Sequence, residues 1–204
     1  MNYKKLLAAA INLDIDYDRL AKELQVLEHH TLTHQYDINK WSTRQSLGSA
    51  RALLLRTTTD TITAEWDGGS NKPIKTVKHN TWSWNESLDI PYTRQVINNL
   101  PYNTLGAVRL FFYRDVFVPF HVDHNNSGDT TYTLGLSIIP QPAEAQVQLQ
   151  HNDSLYVIDG HAMLLNDSIS HCVTKTTGCR ITVRVFGDID YSYFDDKLLS
   201  PITS

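Results

Sequence analysis

"PFHVDHNNSG", residues 119–128, is the stretch on which the reading of this chain turns. An apolar run, "VFVPF", ends on His121, and Asp123 follows two positions later. Alternate side chains of a β-strand point the same way, so a strand here places the imidazole and the carboxylate on one face. Such a pair can grip a single metal ion from a rigid element. On its own it also fits a strand that ends in a polar turn, because the following Asn, Ser and Gly are turn residues.

The surrounding texture favours strands. After residue 104 come "GAVRLFFY", "VFVPFHVD", "TYTLGLSII", "AQVQLQH", "SLYVIDG", "HAMLLND", "SHCVTK" and "CRITVRVFG", with turn residues between them. Short strands at intervals of roughly 8–12 residues mark a sandwich or barrel. Earlier in the chain, "YDRLAKELQVLEHH" (17–30) carries Leu20, Leu24 and Leu27 at helical spacing, with Val26 beside them and Asp14 or Asp16 as cap. "ARALLLRTTT" (50–59) and "TITAEW" (61–66) read as strands, "DGGSNKP" (67–73) as a loop, and "PYTRQVINNLP" (91–101) as a short helix opened by proline. The expectation is a mainly β protein, one domain over 1–204, with an α/β amino-terminal part (1–104) packed on the outer face of a β core (105–190).

A metal site needs a third ligand. His171 stands 50 residues after His121, in "SISHCVTKTTGCRITVRV" (168–185), with Val173 on its face and Cys172 on the other. Two His and one carboxylate form the facial triad that leaves open positions on non-haem Fe(II). Open positions suit a chelating co-substrate and O2. A dicarboxylate such as 2-oxoglutarate also needs a cation for its far end, and the planar fork of Arg matches a carboxylate bidentately. Arg180 lies nine residues after His171, across the "KTTG" turn, and Thr182 shares its face. Arg184 has the same parity and is the alternative anchor. In "TTYTLGLSIIP" (130–140), Thr131, Thr133, Gly135 and Ser137 form one face, and Tyr132, Leu134, Leu136 and Ile138 the other. A polar inner face suits a wet pocket, with the apolar face meeting the helices; a strand with one solvated face reads the same way. Tyr113 is a further candidate for hydrogen bonding to a ligand near the metal.

With these residues in order, the stretch from about Pro91 to Tyr191 resembles the 2-oxoglutarate/Fe(II)-dependent dioxygenases. The nearer likeness is to the aspartyl/asparaginyl β-hydroxylase branch, which includes proline-type hydroxylases of free amino acids. The resemblance rests on "VRLFFY", "VPFHVD", "YTLGLSIIP", "VQLQHNDSLYVIDGHAMLLNDSISHCV" and "GCRITVRVFGDIDY". It implies a double-stranded β-helix (a jelly-roll, cupin-like core), iron held by His121, Asp123 and His171, and 2-oxoglutarate anchored by Arg180 with Thr182. The implied reaction is hydroxylation of an unactivated C–H bond in an amino acid, free or in a peptide, with O2 as oxidant. This chain keeps the carboxylate ligand that some members of the branch lack. It carries Thr131 and Thr133 where members often carry Arg and His. Two other readings remain open: a cupin-like metalloenzyme that does not use 2-oxoglutarate, with Arg180 in a structural ion pair, and a β-sandwich binding module without chemistry.

Bulk properties narrow the classes further. The 204 residues carry a formal net charge of -4, which disfavours nucleic acid as a partner. Two cysteines, Cys172 and Cys179, exclude a disulfide framework and suit free thiols in the cytoplasm. The apolar run Leu6–Ile11 is short for a signal peptide, and no window suits a membrane helix. The remaining histidines read as ordinary polar groups: His124 in the loop, His151 and His161 at turns facing solvent, and His29, His30 and His34 at a helix end. Trp82 and Trp84 either line a substrate mouth or pack in the core.

Overall fold

The computed structural model describes residues 2–29, 49–58, 82–122 and 134–203. Two antiparallel sheets face each other, and β3 (Arg56–Thr58) pairs with β4 (Trp82–Trp84) in a separate two-stranded ribbon. The larger runs in the order β13 (Leu198–Thr203), β1 (Leu6–Ile11), β10 (Ala162–Asn166), β7 (Leu134–Gln141), β12 (Cys179–Ile189), β5 (Tyr102–Arg114) and β2 (Ser49–Leu54). The smaller runs β6 (Val118–His121), β11 (Ser170–Val173), β8 (Val147–His151) and β9 (Ser154–Ile158). From β5 to β12 the chain alternates between the sheets, with β8 and β9 joined as a hairpin inside the smaller one. This winding is the double-stranded β-helix. The β8–β9 connection is two residues, Asn152 and Asp153, both at positive φ (48° and 59°), as a type I′ turn requires.

The larger sheet has two unlike faces, and strand alternation makes them so. Leu134, Leu136 and Ile138 of β7, Ile181, Val183 and Val185 of β12, and Val108, Leu110 and Phe112 of β5 join one core cluster with Leu20, Leu24, Val96 and Ile97 of two helices. These helices are α1 (Tyr17–Gln25) and α2 (Pro91–Asn98). Residues of opposite parity, including Arg180, Thr182 and Ser137, turn toward the smaller sheet. There a second core cluster, with Ile139, Val147, Leu149, Ile158 and Met163, fills one end of the space between the sheets.

α1 starts at Asp16, whose side chain accepts from the Arg19 N–H at 2.9 Å. It is shorter than the sequence reading: after Gln25 the chain tightens into a 3-10 turn over Val26–His29. That turn still buries Leu27 but leaves Val26 59% exposed, so Val26 is not part of the apolar stripe. Leu6–Ile11 is a buried strand between β10 and β13, stitched into the sheet at both edges. Trp84 packs on the outer core, with the guanidiniums of Arg56 and Arg94 over its ring. Both cysteines are buried free thiols. Residues 59–81, including the expected strand 61–66 and loop 67–73, and His30 and His34, lie outside the described residues. Among the described residues no helix is long and apolar enough to cross a membrane.

α2 has no side-chain cap of its own at Ile90. Glu23, on α1, supplies one from across the interface. Its carboxylate accepts the Tyr92 N–H at 2.8 Å, the Thr93 N–H at 2.6 Å and the Thr93 hydroxyl at 2.5 Å. The Tyr92 hydroxyl in turn accepts the Asp16 N–H at 2.9 Å. One carboxylate therefore ties the two helices together over the sheet. Replacing Glu23 by Ala leaves a buried Thr93 hydroxyl and two orphaned amides, and should cost about 1–3 kcal/mol in urea unfolding. Glu23→Gln should cost less, and a loss below about 0.5 kcal/mol for Glu23→Ala would deny this capping role.

Candidate metal and anion site

β6 and β11 pair antiparallel, and His121 stands directly opposite His171 in the register. Their ring centroids are 4.4 Å apart at an interplanar angle of 53°. His171 is only 4% exposed and His121 is half-buried. Both rings are latched in the same way. His121 Nδ1 is 2.8 Å from the carbonyl oxygen of Pro119, and His171 Nδ1 is 2.8 Å from that of Ile169. A carbonyl oxygen only accepts, so in each ring Nδ1 carries the proton and donates. The ring lone pair of the neutral imidazole then belongs to Nε2. Two imidazoles with fixed tautomer and fixed orientation, side by side on one sheet, are what a divalent transition metal requires of histidine ligands.

Asp123 follows His121 by two positions and lies outside the described residues, as do Thr131, Thr133 and His124. Among the described residues no group of three or more His, Cys, Asp or Glu comes together. The described part of the candidate triad is thus its two histidines, with the donor chemistry suited to Fe(II).

The facing sheet supplies a cation. Arg180 is only 2% exposed. Its Nη1 donates to the Ala145 carbonyl at 2.7 Å, and its Nε to the Thr182 hydroxyl at 3.3 Å. Among the described residues no carboxylate pairs with it. Burial pulls its pKa down to about 10, against the opposing influence of the neighbouring Tyr113. At neutral pH it remains charged, so the fold holds a desolvated cation whose partners among the described residues are neutral dipoles. Arg180 also borders a cavity of about 140 Å³, walled by Ile139, Ala145, Val147, Ile158 and Met163 and by the Asp159–His161 turn. A buried guanidinium facing a cavity is a place for an anion.

Arg184, the other arginine of this face, is engaged differently: its Nη2 pairs with the Asp167 carboxylate. That distinguishes the two candidates for a co-substrate carboxylate. Tyr113 stands opposite Arg180 in the β5–β12 register and stacks on Phe111, with ring centroids 5.8 Å apart. It therefore flanks the guanidinium. His161 is exposed, with its ring stacked on Tyr17 at 4.6 Å. Two features have no sequence signal: the carbonyl latches of Pro119 and Ile169, which are backbone atoms, and the Asp167–Arg184 pair, which joins elements from different strands.

By sequence the chain matches no family model and no curated protein. By structure it is similar to a prolyl hydroxylase from Trichoplax adhaerens, solved in complex with a hypoxia inducible factor oxygen degradation domain peptide fragment. The TM-score is 0.52 at 10% identity, over 90% of this chain and 83% of that one. A Pseudomonas putida prolyl-4-hydroxylase aligns at TM-score 0.48 and 12% identity, over 90% and 91% of the two chains. A Burkholderia pseudomallei oxidoreductase of the 2OG-Fe(II) oxygenase family aligns at 0.41 and 10%, over 74% and 79%. The likeness to the Trichoplax protein shows that the fold is shared.

The state of Arg180 generates a test that separates binding from architecture. Arg180→Met removes a buried charge while keeping an apolar stem. If the arginine is an anion anchor, the variant should keep a thermal midpoint within a few degrees of wild type, or above it, and 2-oxoglutarate should raise the midpoint of the wild-type protein but not of the variant. A loss of more than about 2 kcal/mol in the unliganded protein would make the arginine structural instead.

Proposed function

We propose that this protein is an Fe(II)- and 2-oxoglutarate-dependent dioxygenase that hydroxylates an unactivated C–H bond of an amino acid, free or within a peptide. The observation that carries the reading is the pair of matched latches on His121 and His171, which aims two Nε2 lone pairs from adjacent strands. The buried Arg180 on the facing sheet, which pairs with no carboxylate among the described residues, supports it. So does the fold shared with a prolyl hydroxylase, a protein solved with a peptide bound.

In this reading His121, Asp123 and His171 hold the iron. Arg180 takes the far carboxylate of 2-oxoglutarate, and the Thr182 hydroxyl lies beside that contact. Tyr113, opposite Arg180 in the β5–β12 register, and Thr131 and Thr133 are further candidates for contact with the co-substrate. The bound iron, with 2-oxoglutarate and O2, supplies the oxidation: one oxygen atom enters the substrate as hydroxyl, and the co-substrate leaves as succinate and CO2. The chain's own contributions are position and exclusion of water. The latches keep the imidazoles from rotating. The apolar side chains of Ile139, Val147, Ile158 and Met163 on the cavity wall lower the local polarity beside Arg180, which would strengthen its attraction for a carboxylate. The substrate is a small molecule or a peptide bearing the C–H bond to be oxidised. Two buried free thiols fit a cytoplasmic protein.

The test is oxygen uptake with Fe(II) and ascorbate, scored for dependence on 2-oxoglutarate and for one succinate formed per CO2. Uptake that requires 2-oxoglutarate, rises with a substrate from an amino-acid and peptide panel, and falls at least ~100-fold in His171→Ala is expected. Metal-dependent activity indifferent to 2-oxoglutarate would turn the assignment to a cupin-like metalloenzyme.

A further inference from the structure

β10 does not run straight into β11. Between Asn166 and His171 the chain makes a tight turn, braced from within by Asn166. Its side-chain Oδ1 accepts the Ser168 N–H at 3.0 Å and the Ser168 hydroxyl at 2.6 Å, and its carbonyl accepts the Ile169 N–H at 3.1 Å. The last residue of that turn, Ile169, supplies the carbonyl that latches His171 Nδ1. The orientation of the His171 ring is therefore inherited from the position of the turn.

The turn is also held from two strands away in the larger sheet, where β10, β7 and β12 lie side by side. Asp167, at its tip and buried, pairs with Arg184 of β12.

Gly135 completes the arrangement. A glycine inside a strand weakens it and marks a close approach. A Cβ on Gly135 would lie 2.9 Å from Asp167 Oδ2 and 3.1 Å from Arg184 Nη2, both closer than a side-chain carbon tolerates. The glycine of "LGL" is the space in which the ion pair rests on the sheet.

We propose that Asp167 and Arg184 are positioning residues for His171, the ion pair pinning the Asn166–Ile169 turn to β12 so that the Ile169 carbonyl holds the imidazole on the metal. This rests on the iron-site reading above. It also gives the second arginine of the inner face a task distinct from the co-substrate anchor.

Co(II), a stable divalent probe, tests it by absorption titration of the purified full chain, alongside thermal unfolding without metal. Arg184→Gln and Asp167→Asn should weaken Co(II) about 10–100-fold, the cost expected when a ligand's supporting contact is lost. Arg184→Lys, which keeps a cationic donor, should recover part of that loss. Gly135→Ala leaves both partners in place but forces them apart, and should weaken Co(II) in the same direction. It decides the matter alone if Arg184→Gln does not fold. Co(II) affinities within twofold of wild type in these variants, even with a lowered thermal midpoint, would reduce the pair to a structural brace and overturn the proposal. Failure of the wild-type chain itself to bind Co(II) would instead remove the iron-site reading, and this inference with it.

Discussion

Burial of one face of the larger sheet beneath α1 and α2 is the constraint on which the molecule depends. The helices cover Leu134, Leu136, Ile138, Val183 and their neighbours in a single apolar cluster. Each fully buried aliphatic side chain there contributes on the order of 1.5–3 kcal/mol. Because that face carries so much of the stability, the other face of the same strands is released from it. The inner face can afford Arg180, Thr182, Arg184 and Ser137 where a self-sufficient sandwich would need leucines. The Glu23 clamp between the helices follows the same logic. It stabilises the lid over the apolar face and touches nothing in the candidate site.

The cost of that licence is concentrated at Arg180. A guanidinium taken out of water, with a carbonyl and a hydroxyl as its partners among the described residues, is disfavoured relative to its solvated state, and its lowered pKa follows from that burial. Arg184 shows the contrast. It emerges from the same strand with the same parity, yet a carboxylate neutralises it. Among the described residues Arg180 has no such partner, and it borders the cavity. An anion taken up beside it would gain from a desolvation that folding has already met, which is how a preorganised site outcompetes water.

Much of the fold was legible because its signal is local. Period two along "TYTLGLSII" and "CRITVRV" separated the two faces of β7 and β12 correctly, and Pro91 marked the start of α2. Asp16, one of the two expected caps, opens α1, but the helix ends at Gln25, five residues short of the expected His30. The 3-10 turn that follows still buries Leu27. Leu6–Ile11 is apolar on both faces and reads from sequence as a mere hydrophobic run. Its pairing with β10 and β13, both more than 150 residues away, makes it a strand. Glu23 as the cap of α2, and the Pro119 and Ile169 carbonyls as latches, are similarly invisible. The first acts across a tertiary gap, and the others are main-chain atoms that any residue would carry. The ordered set His121, His171 and Arg180 could be picked out, whereas the reason Arg184 differs from Arg180 could not. Nothing near Arg184 in sequence says that Asp167 folds back to meet it.

A site built on two facing sheets has a problem that a site on one sheet does not. The histidines belong to β6 and β11, and the guanidinium to β12. Hydrogen bonds fix neighbours within each sheet to a few tenths of an ångström, but the spacing and shear between sheets are set mostly by side-chain packing, which is softer. Any ligand that must touch both the imidazoles and Arg180 senses that shear directly. The Arg180 bond to the Ala145 carbonyl, just ahead of β8, is a directional bond across that gap. Arg184 and Asp167 instead pair over Gly135 on the larger sheet itself, two strands apart, and fix the start of the turn into β11 to that sheet. The chain that leads into His171 is thus tied to the same strand, β12, that carries Arg180.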